Sequence, residues 1–249
     1  MDSALVSART TLLATVSRDP ETIEEVIEQL ARIREAAESL RPRGDQDGIA
    51  SFTKLYHRIT CAIRDAYGKD RFHAGDFILD LDVGFARRYI QALRADLTSG
   101  RTAPRCWTIL FDRRREEGIG IWRFAVAGVN AHVNFDLAFA LPDVWLRDGR
   151  PEGETLEKQH ADYTEINRIF YDEMNALQDL FDGPGEDWPD SDVRDRGLIG
   201  IADVIVWVTR EAAWRDANRL WGDREETGYR EAGTARLDGI AAWLAEIVV

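Results

Sequence analysis

Apolar residues recur at helical spacing along most of the chain. Ile23, Val26, Ile27, Leu30 and Ile33 lie three or four apart, the period of one helix face. Asp19 and Pro20 precede them and predict an N-cap and a first helical position. Glu21, Glu24 and Glu25 suit the positive end of the helix dipole, and Arg41-Pro42-Arg43-Gly44 ends the pattern. The spacing predicts further helices over residues 52–66, with Gly68 as the stop, and over 76–97. The latter carries Phe77, Leu81, Phe85 and Tyr89 on one face. Residues 156–181, 198–220 and 234–248 also read as helices. Between them, residues 112–120 are a charged loop, and residues 142–154 and 182–195 are loops rich in Pro, Gly and Asp. Residues 107–111 form a short apolar stretch. Residues 119–124 are the best strand candidate, but no stretch alternates with a period of two over a useful length. The pattern predicts an all-α fold, a single compact multi-helix domain over residues 1–249.

One segment departs from the amphipathic pattern. Residues 124–141 read FAVAGVNAHVNFDLAFAL, and Asp136 is their one formal charge. A helix apolar on every side is a buried helix. It nevertheless carries Asn130, His132, Asn134 and Asp136, and a buried polar group without a partner costs about 1–3 kcal/mol. Residues four apart share a helix face, so His132 pairs with Asp136, and Asn130 with Asn134 on the opposite side. The two pairs cannot line one small pocket unless the helix is broken there. A carboxylate can orient an imidazole and raise its basicity, which suits general acid–base work. The same spacing also suits two ligands of a divalent metal. The asparagines read as structural bonding to backbone groups, with substrate contact as the functional alternative.

Other charges lie on apolar backgrounds. Asp82 in FILDLDVGFARRY shares a face with Tyr89. Asp203 in LIGIADVIVWV begins a stripe that continues through Trp207, Arg210 and Trp214. Asp82, Tyr89, Asp203, Trp207 and Arg210 are candidate substrate-binding residues, weighed against buried salt bridges or caps. Asp162 and Asn167 read as caps or helix cross-links. His160 reads equally as a loop residue. His57 and His73 have no partner at fixed spacing and read as surface or interface histidines. Most of the eight tryptophans read as packing residues, and a few could line a pocket for an apolar ligand.

Composition narrows the partners. The net charge of −13 repels phosphate backbones and anionic headgroups, so nucleic acid and membrane surfaces are not expected partners. No apolar run of about 18 residues is read in the chain, so no membrane span is expected. The start lacks a basic region followed by an apolar one, so a cytoplasmic location is expected. Cys61 and Cys106 set no disulfide framework and read as small buried hydrophobes. Lysine occurs only at Lys54, Lys69 and Lys158 among 32 basic residues, the bias of a GC-rich bacterial genome. Walker, dinucleotide-binding, serine-elbow and H-E-x-x-H motifs are absent. The acidic stretch from Asp182 to Asp195 is not the D-D-x-x-D array of a standard terpene cyclase.

FARRYIQAL, W-x-x-L-F, FAVAGVNAHVNFDLAFAL, D-Y-x-x-I-N and R-x-x-A-W-x-x-A-x-x-L together resemble an uncharacterised, mainly actinobacterial domain-of-unknown-function family. The likeness covers about residues 52–220. Its most specific part is N-A-H-x-N-x-D-L, matched by Asn130, Ala131, His132, Asn134, Asp136 and Leu137. It implies a helical fold and no reaction. H-x-x-x-D-L on a buried helix is also similar to part of the metal site of helical zinc-dependent phospholipases C. With four histidines in the chain, a trinuclear site is excluded and a one- or two-metal site stays open.

The leading expectation is a small-molecule enzyme of bacterial specialised metabolism. His132 would be its acid–base residue and Asp136 the orienter, in a cofactor-independent cyclisation, isomerisation or elimination. The alternatives are a divalent-metal hydrolase that uses His132 and Asp136, and a non-catalytic binding or scaffold protein. The oligomeric state is not legible.

Overall fold

The computed structural model describes residues 3–40, 47–98, 102–181 and 208–249, and among these no strand occurs. In chain order the helices are α1 (Ser3–Thr15), α2 (Ile23–Glu38), α3 (Gly48–Tyr67), α4 (Gly75–Leu97) and α5 (Arg105–Arg113). After α6 (Ile121–Ala131) comes a π-helical turn (His132–Asp136), then α7 (Leu137–Asp148) and α8 (Gly153–Phe181). α9 is described over residues 208–222, and α10 is Tyr229–Val248. The all-α expectation holds.

Helix α3 is central. It packs against α2, α6 and α8 and touches α4 and α5. Its N-cap is Asp47, fully buried, whose Oδ1 accepts the amide of Ile49 at 2.9 Å. The other oxygen accepts Arg114 Nε at 3.0 Å, so the buried charge is paired, as burial requires. From this start Phe52, Tyr56, Ile59 and Ile63 present one buried face. Helix α4 packs against α7, and α10 packs against α5, α6 and the π turn. From α8 the side chain of Asp162 reaches the start of α4. It accepts the amide of His73 at 3.0 Å and that of Ala74, and so caps α4, whose own N-cap residue offers no side-chain bond. This is the helix cross-link that its sequence context suggested.

Several sequence expectations are corrected. The cap of α2 is Thr22, whose Oγ1 accepts the amide of Glu25 at 3.2 Å. Asp19 instead holds Gln91 and Arg94 of α4, and Pro20 offers its carbonyl to Arg87 at 2.7 Å. A long-range cross-link wins over the local cap. The strand candidate at 119–124 runs into α6, because Phe124 is fully buried on a helical face with Ala127 and Ala131. The loop expected from Pro142 begins only at Gly149. Pro142 lies within α7, and the helix continues because Val144 and Trp145 are buried beyond it. Trp145 packs edge-on against Trp214 and Trp221 at 5.5 and 6.0 Å. Gly149, at φ 84°, then ends the helix.

The apolar run is also longer than expected. Residues Ile121–Asp148 are long and apolar enough, by length and composition, to cross a membrane, and 83% of the most apolar window is buried inside the protein. It is the core helix of the bundle.

Candidate active site

The π turn sits in the middle of this core helix. The amide of Leu137 bonds to the carbonyl of His132, five residues back instead of four. Such wide turns in a helix recur at functional sites. His132 and Asp136 are its first and last residues, 3% and 2% exposed.

His132 Nδ1 lies 3.0 Å from Asp136 Oδ2. The same oxygen accepts the indole N–H of Trp107 at 2.9 Å. The other oxygen, Oδ1, has Arg88 Nε at 3.3 Å, within ion-pair distance though outside hydrogen-bond geometry. Trp107 and Arg88 can only donate, so the carboxyl accepts. Nδ1 of His132 therefore carries the proton and donates it to Asp136. The remaining nitrogen, Nε2, is left with a bare lone pair, is buried, and has no hydrogen-bond partner.

Aromatic rings fix the imidazole. Phe85 stacks on it at 3.3 Å between centroids. Tyr56 meets it edge-on at 4.6 Å, and Phe52 and Trp107 do so at 5.7 and 5.8 Å. Phe52 reaches this position because residue 128 is glycine. A Cβ there would lie 2.3–2.7 Å from the Phe52 side chain, inside any allowed contact. Burial in this apolar box pushes the His132 pKa below its ordinary value. Asp136 opposes that shift, and Arg88 and Arg210 add to it. The ring is neutral at neutral pH.

A cavity with about 40 Å³ of internal free space lies beside it, between α3, α4, the π turn, α8 and α9. Its walls are mostly apolar. Four polar side chains interrupt them: Tyr56, Asp82, His132 and Arg210. Each contributes a buried atom outside strict hydrogen-bond geometry, namely Tyr56 Oη, Asp82 Oδ2, His132 Nε2 and Arg210 Nε, and Thr60 behind them lies close enough to Tyr56 and Asp82 to favour the ionised form of each. Buried polar atoms in folded proteins are nearly always bonded, so this convergence makes the cavity the candidate site. The free space has room for about three waters, which can meet some of these atoms until a ligand displaces them.

The electrostatics of the four groups differ. Burial raises the Asp82 pKa to about 7, against the pull of Arg210 and Thr60. Tyr56 is held well above the phenol range by burial and then by Asp82 and Asp136, so its hydroxyl stays protonated. Arg210 is lowered by burial, an effect offset by Tyr163, Glu211 and Asp82. Its NH2 donates to the Tyr163 carbonyl at 3.0 Å, and the guanidinium lies 4.4 Å over the Tyr163 ring.

The remaining sequence candidates fall elsewhere. Tyr89 is fully buried but bonds Thr53 at 2.8 Å and stands behind the cavity wall. Asn130 donates to the Ala241 carbonyl at 2.7 Å, and Asn134 donates to Asn130 Oδ1 at 2.8 Å. These two tie the core helix toward α10, in keeping with structural bonding to the backbone, and neither lines the cavity among the described residues. Asp203 and Trp207 lie outside the described residues. His160 meets Glu211 at 3.3 Å and packs on Trp214, away from the cavity. His57 is half-buried beside Cys61, and His73 is exposed. Cys106 is buried and Cys61 half-buried.

As a metal pair, His132 and Asp136 fit poorly. They bond each other, and the carboxylate already takes Trp107 and Arg88. Among the described residues no group of three His, Cys, Asp or Glu side chains is placed to hold an ion.

Sequence reasoning missed Trp107, Arg88, Tyr56 and Thr60 as parts of the site. Arg88 had a signal, a cation in the apolar FARRY segment of α4. The others looked like ordinary core residues.

The chain belongs to the Family of unknown function (DUF5995), whose model matches residues 23–249, a longer span than the sequence motifs suggested. No curated protein and no solved structure matches it.

Proposed function

We propose that this protein is a cofactor-independent enzyme that moves protons on a small, largely apolar molecule held in the cavity beside His132. The reading carries a cytoplasmic bacterial setting in specialised metabolism with it, of which the arginine-rich composition supports the bacterial part. Its main support is the unpartnered Nε2 of His132, a neutral imidazole nitrogen facing a cavity with a proton-bearing group on another wall.

In this reading His132 Nε2 removes a proton from the substrate. Asp136 keeps the ring in the Nδ1–H tautomer and stabilises the imidazolium that forms. Asp82, which holds a proton below about pH 7, or the Tyr56 hydroxyl returns a proton to another atom of the substrate. Two titratable groups pushed apart by their surroundings are the usual sign of such a division of labour. The enzyme finishes with His132 protonated and the acid ionised, and exchange with water resets both. An isomerisation, a cyclisation or an elimination each fits this cycle.

The metal-dependent hydrolase draws less support, because Asp136 is already committed to three donors. A purely structural pair draws less as well, since packing alone gives no reason to leave Nε2 bare at an apolar cavity.

The test compares a bacterial metabolite extract treated in deuterated water with the wild-type protein and with a folded His132→Asn variant. The proposal expects compounds that change mass or disappear only with the wild type. Identical profiles from the two proteins would overturn it.

A further inference from the structure

The polar atoms around the cavity also constrain what enters it. We infer that its ligand is a small apolar monocarboxylic acid, with the carboxylate on Arg210 Nε beside Asp82 and the hydrocarbon part against the isoleucine and leucine walls. This rests on the same site as the acid–base reading and names the substrate class for it.

Arg210 is held from behind. Its NH2 donates to the Tyr163 carbonyl, and its own carbonyl accepts the Tyr163 hydroxyl at 2.6 Å. These bonds aim the guanidinium and leave Nε buried and without a partner at the cavity. A buried cation with an unspent N–H is tolerated only if an anion completes it. Asp82 is the resident acid, and Arg210 pulls on its titration, yet Asp82 Oδ2 and Arg210 Nε both stay unpartnered. No hydrogen bond joins these two atoms, so both keep bonding capacity for a third group. A carboxylate meets both needs, since it accepts from Arg210 Nε with one oxygen and from a protonated Asp82 with the other.

Charge and space exclude the main competitor. A phosphate dianion would place two negative charges next to Asp82 in a mostly apolar cavity, with Arg210 as the one cation among the described lining residues. Around the polar end the walls are Ile59, Ile63, Ile78, Leu81, Leu137 and Ile166, which suit a hydrocarbon chain or ring. With about 40 Å³ free, room for about three waters, the shortest acids approach the limit of the space and larger ones enter only if the apolar walls move.

The arrangement also couples binding to a proton. The groups facing Asp82 are Tyr56 and Thr60 from α3, His132 from the π turn and Arg210 from α9. Among its described residues helix α8 contributes Ile166 and Phe170 to the wall. A bound carboxylate favours protonated Asp82, so above the titration of Asp82 each ligand brings in a proton. Affinity then falls about tenfold per pH unit in that range.

The experiment is calorimetric titration of the whole protein with monocarboxylates from acetate to butanoate, the matching primary amides, and inorganic phosphate. The inference expects acids to bind at least about tenfold more tightly than their amides, and no binding of phosphate. It also expects proton uptake above about pH 7 when buffers of different ionisation heat are compared. Arg210→Gln should lose the acid preference. Asp82→Asn should keep binding but lose its pH dependence, so a misfolded Arg210 variant would not decide the matter. Equal binding of acids and amides, preference for phosphate, or a wild-type affinity that is flat with pH would overturn the inference. If acids bind but are never turned over, the acid–base reading fails and this one stands. If neutral compounds alone bind and are turned over, the reverse holds.

Discussion

Trp107 donates its indole N–H to the same carboxylate oxygen, Asp136 Oδ2, that receives the Nδ1 proton of His132. One oxygen thus connects α5 to the π turn and sets which imidazole nitrogen is bare. The tautomer is a consequence of helix packing, and the packing can be perturbed one atom at a time.

Asp136→Asn keeps the shape of the side chain and removes its charge. An amide can accept at only one of its two ends, so either Trp107 and His132 or Arg88 must face an N–H₂ donor. The variant should lose about 1–3 kcal/mol of stability in chemical denaturation. His132 should populate the Nε2–H tautomer, with turnover falling about a hundredfold or more in line with general-base loss.

Trp107→Phe removes the indole N–H and leaves most of the ring. The Asp136 oxygen then has one donor fewer and draws the His132 proton more strongly. The His132 pKa should rise toward its ordinary value, read by NMR titration, with a stability loss of about 1–3 kcal/mol. An unchanged titration would mean that the indole bond does not tune the imidazole.

Gly128→Ala tests the close approach of α6 and α3. The added Cβ would meet the Cβ and ring of Phe52, near the root of that side chain, where it cannot simply swing away. Overpacking of this kind costs about 1–3 kcal/mol. The shift of Phe52 should also show in the chemical shifts of the His132 ring, which it contacts edge-on.

Stability against pH tests Asp82. Its folded pKa of about 7 lies above the value of about 3.9 in an unfolded chain. Between these two values the folded state binds the extra proton, so the contribution of Asp82 falls as pH rises from about 4 to about 7 and is level above. His132 has the opposite sign, since its lowered pKa gives up stability as pH falls below about 6.5. Asp82→Asn removes only the first effect. Relative to the wild type it should gain a few kcal/mol between about pH 5 and pH 8, measured by urea denaturation. A constant difference would contradict the titration of Asp82.

The helices of the core were legible because their burial imposes a period. Ile23 to Ile33 and Phe77 to Tyr89 announce buried faces directly. The His132–Asp136 pair was legible because four-residue spacing brings two side chains together in either an α or a π turn. The π turn itself was not, since a shifted hydrogen bond leaves no trace in a uniformly apolar run. Pro142 misled because a proline stop is a local rule, and burial of Val144 and Trp145 overrides it. Tyr56 and Thr60 read as ordinary face residues of α3, and only the docking of α3 against α4 and the π turn gives them a cavity to face. Asp19 read as a cap, because nothing in its neighbourhood announces Arg94 from another helix.

The central claim is that His132 is a neutral imidazole with a bare Nε2 in a buried cavity. Two-dimensional proton–nitrogen NMR of the imidazole side chains measures this directly. The chain has four histidines, and His132→Asn identifies the signal. The expected result is a neutral ring with the proton on Nδ1, persisting below the ordinary histidine pKa. An Nε2–H tautomer, or an imidazolium at neutral pH, would contradict it.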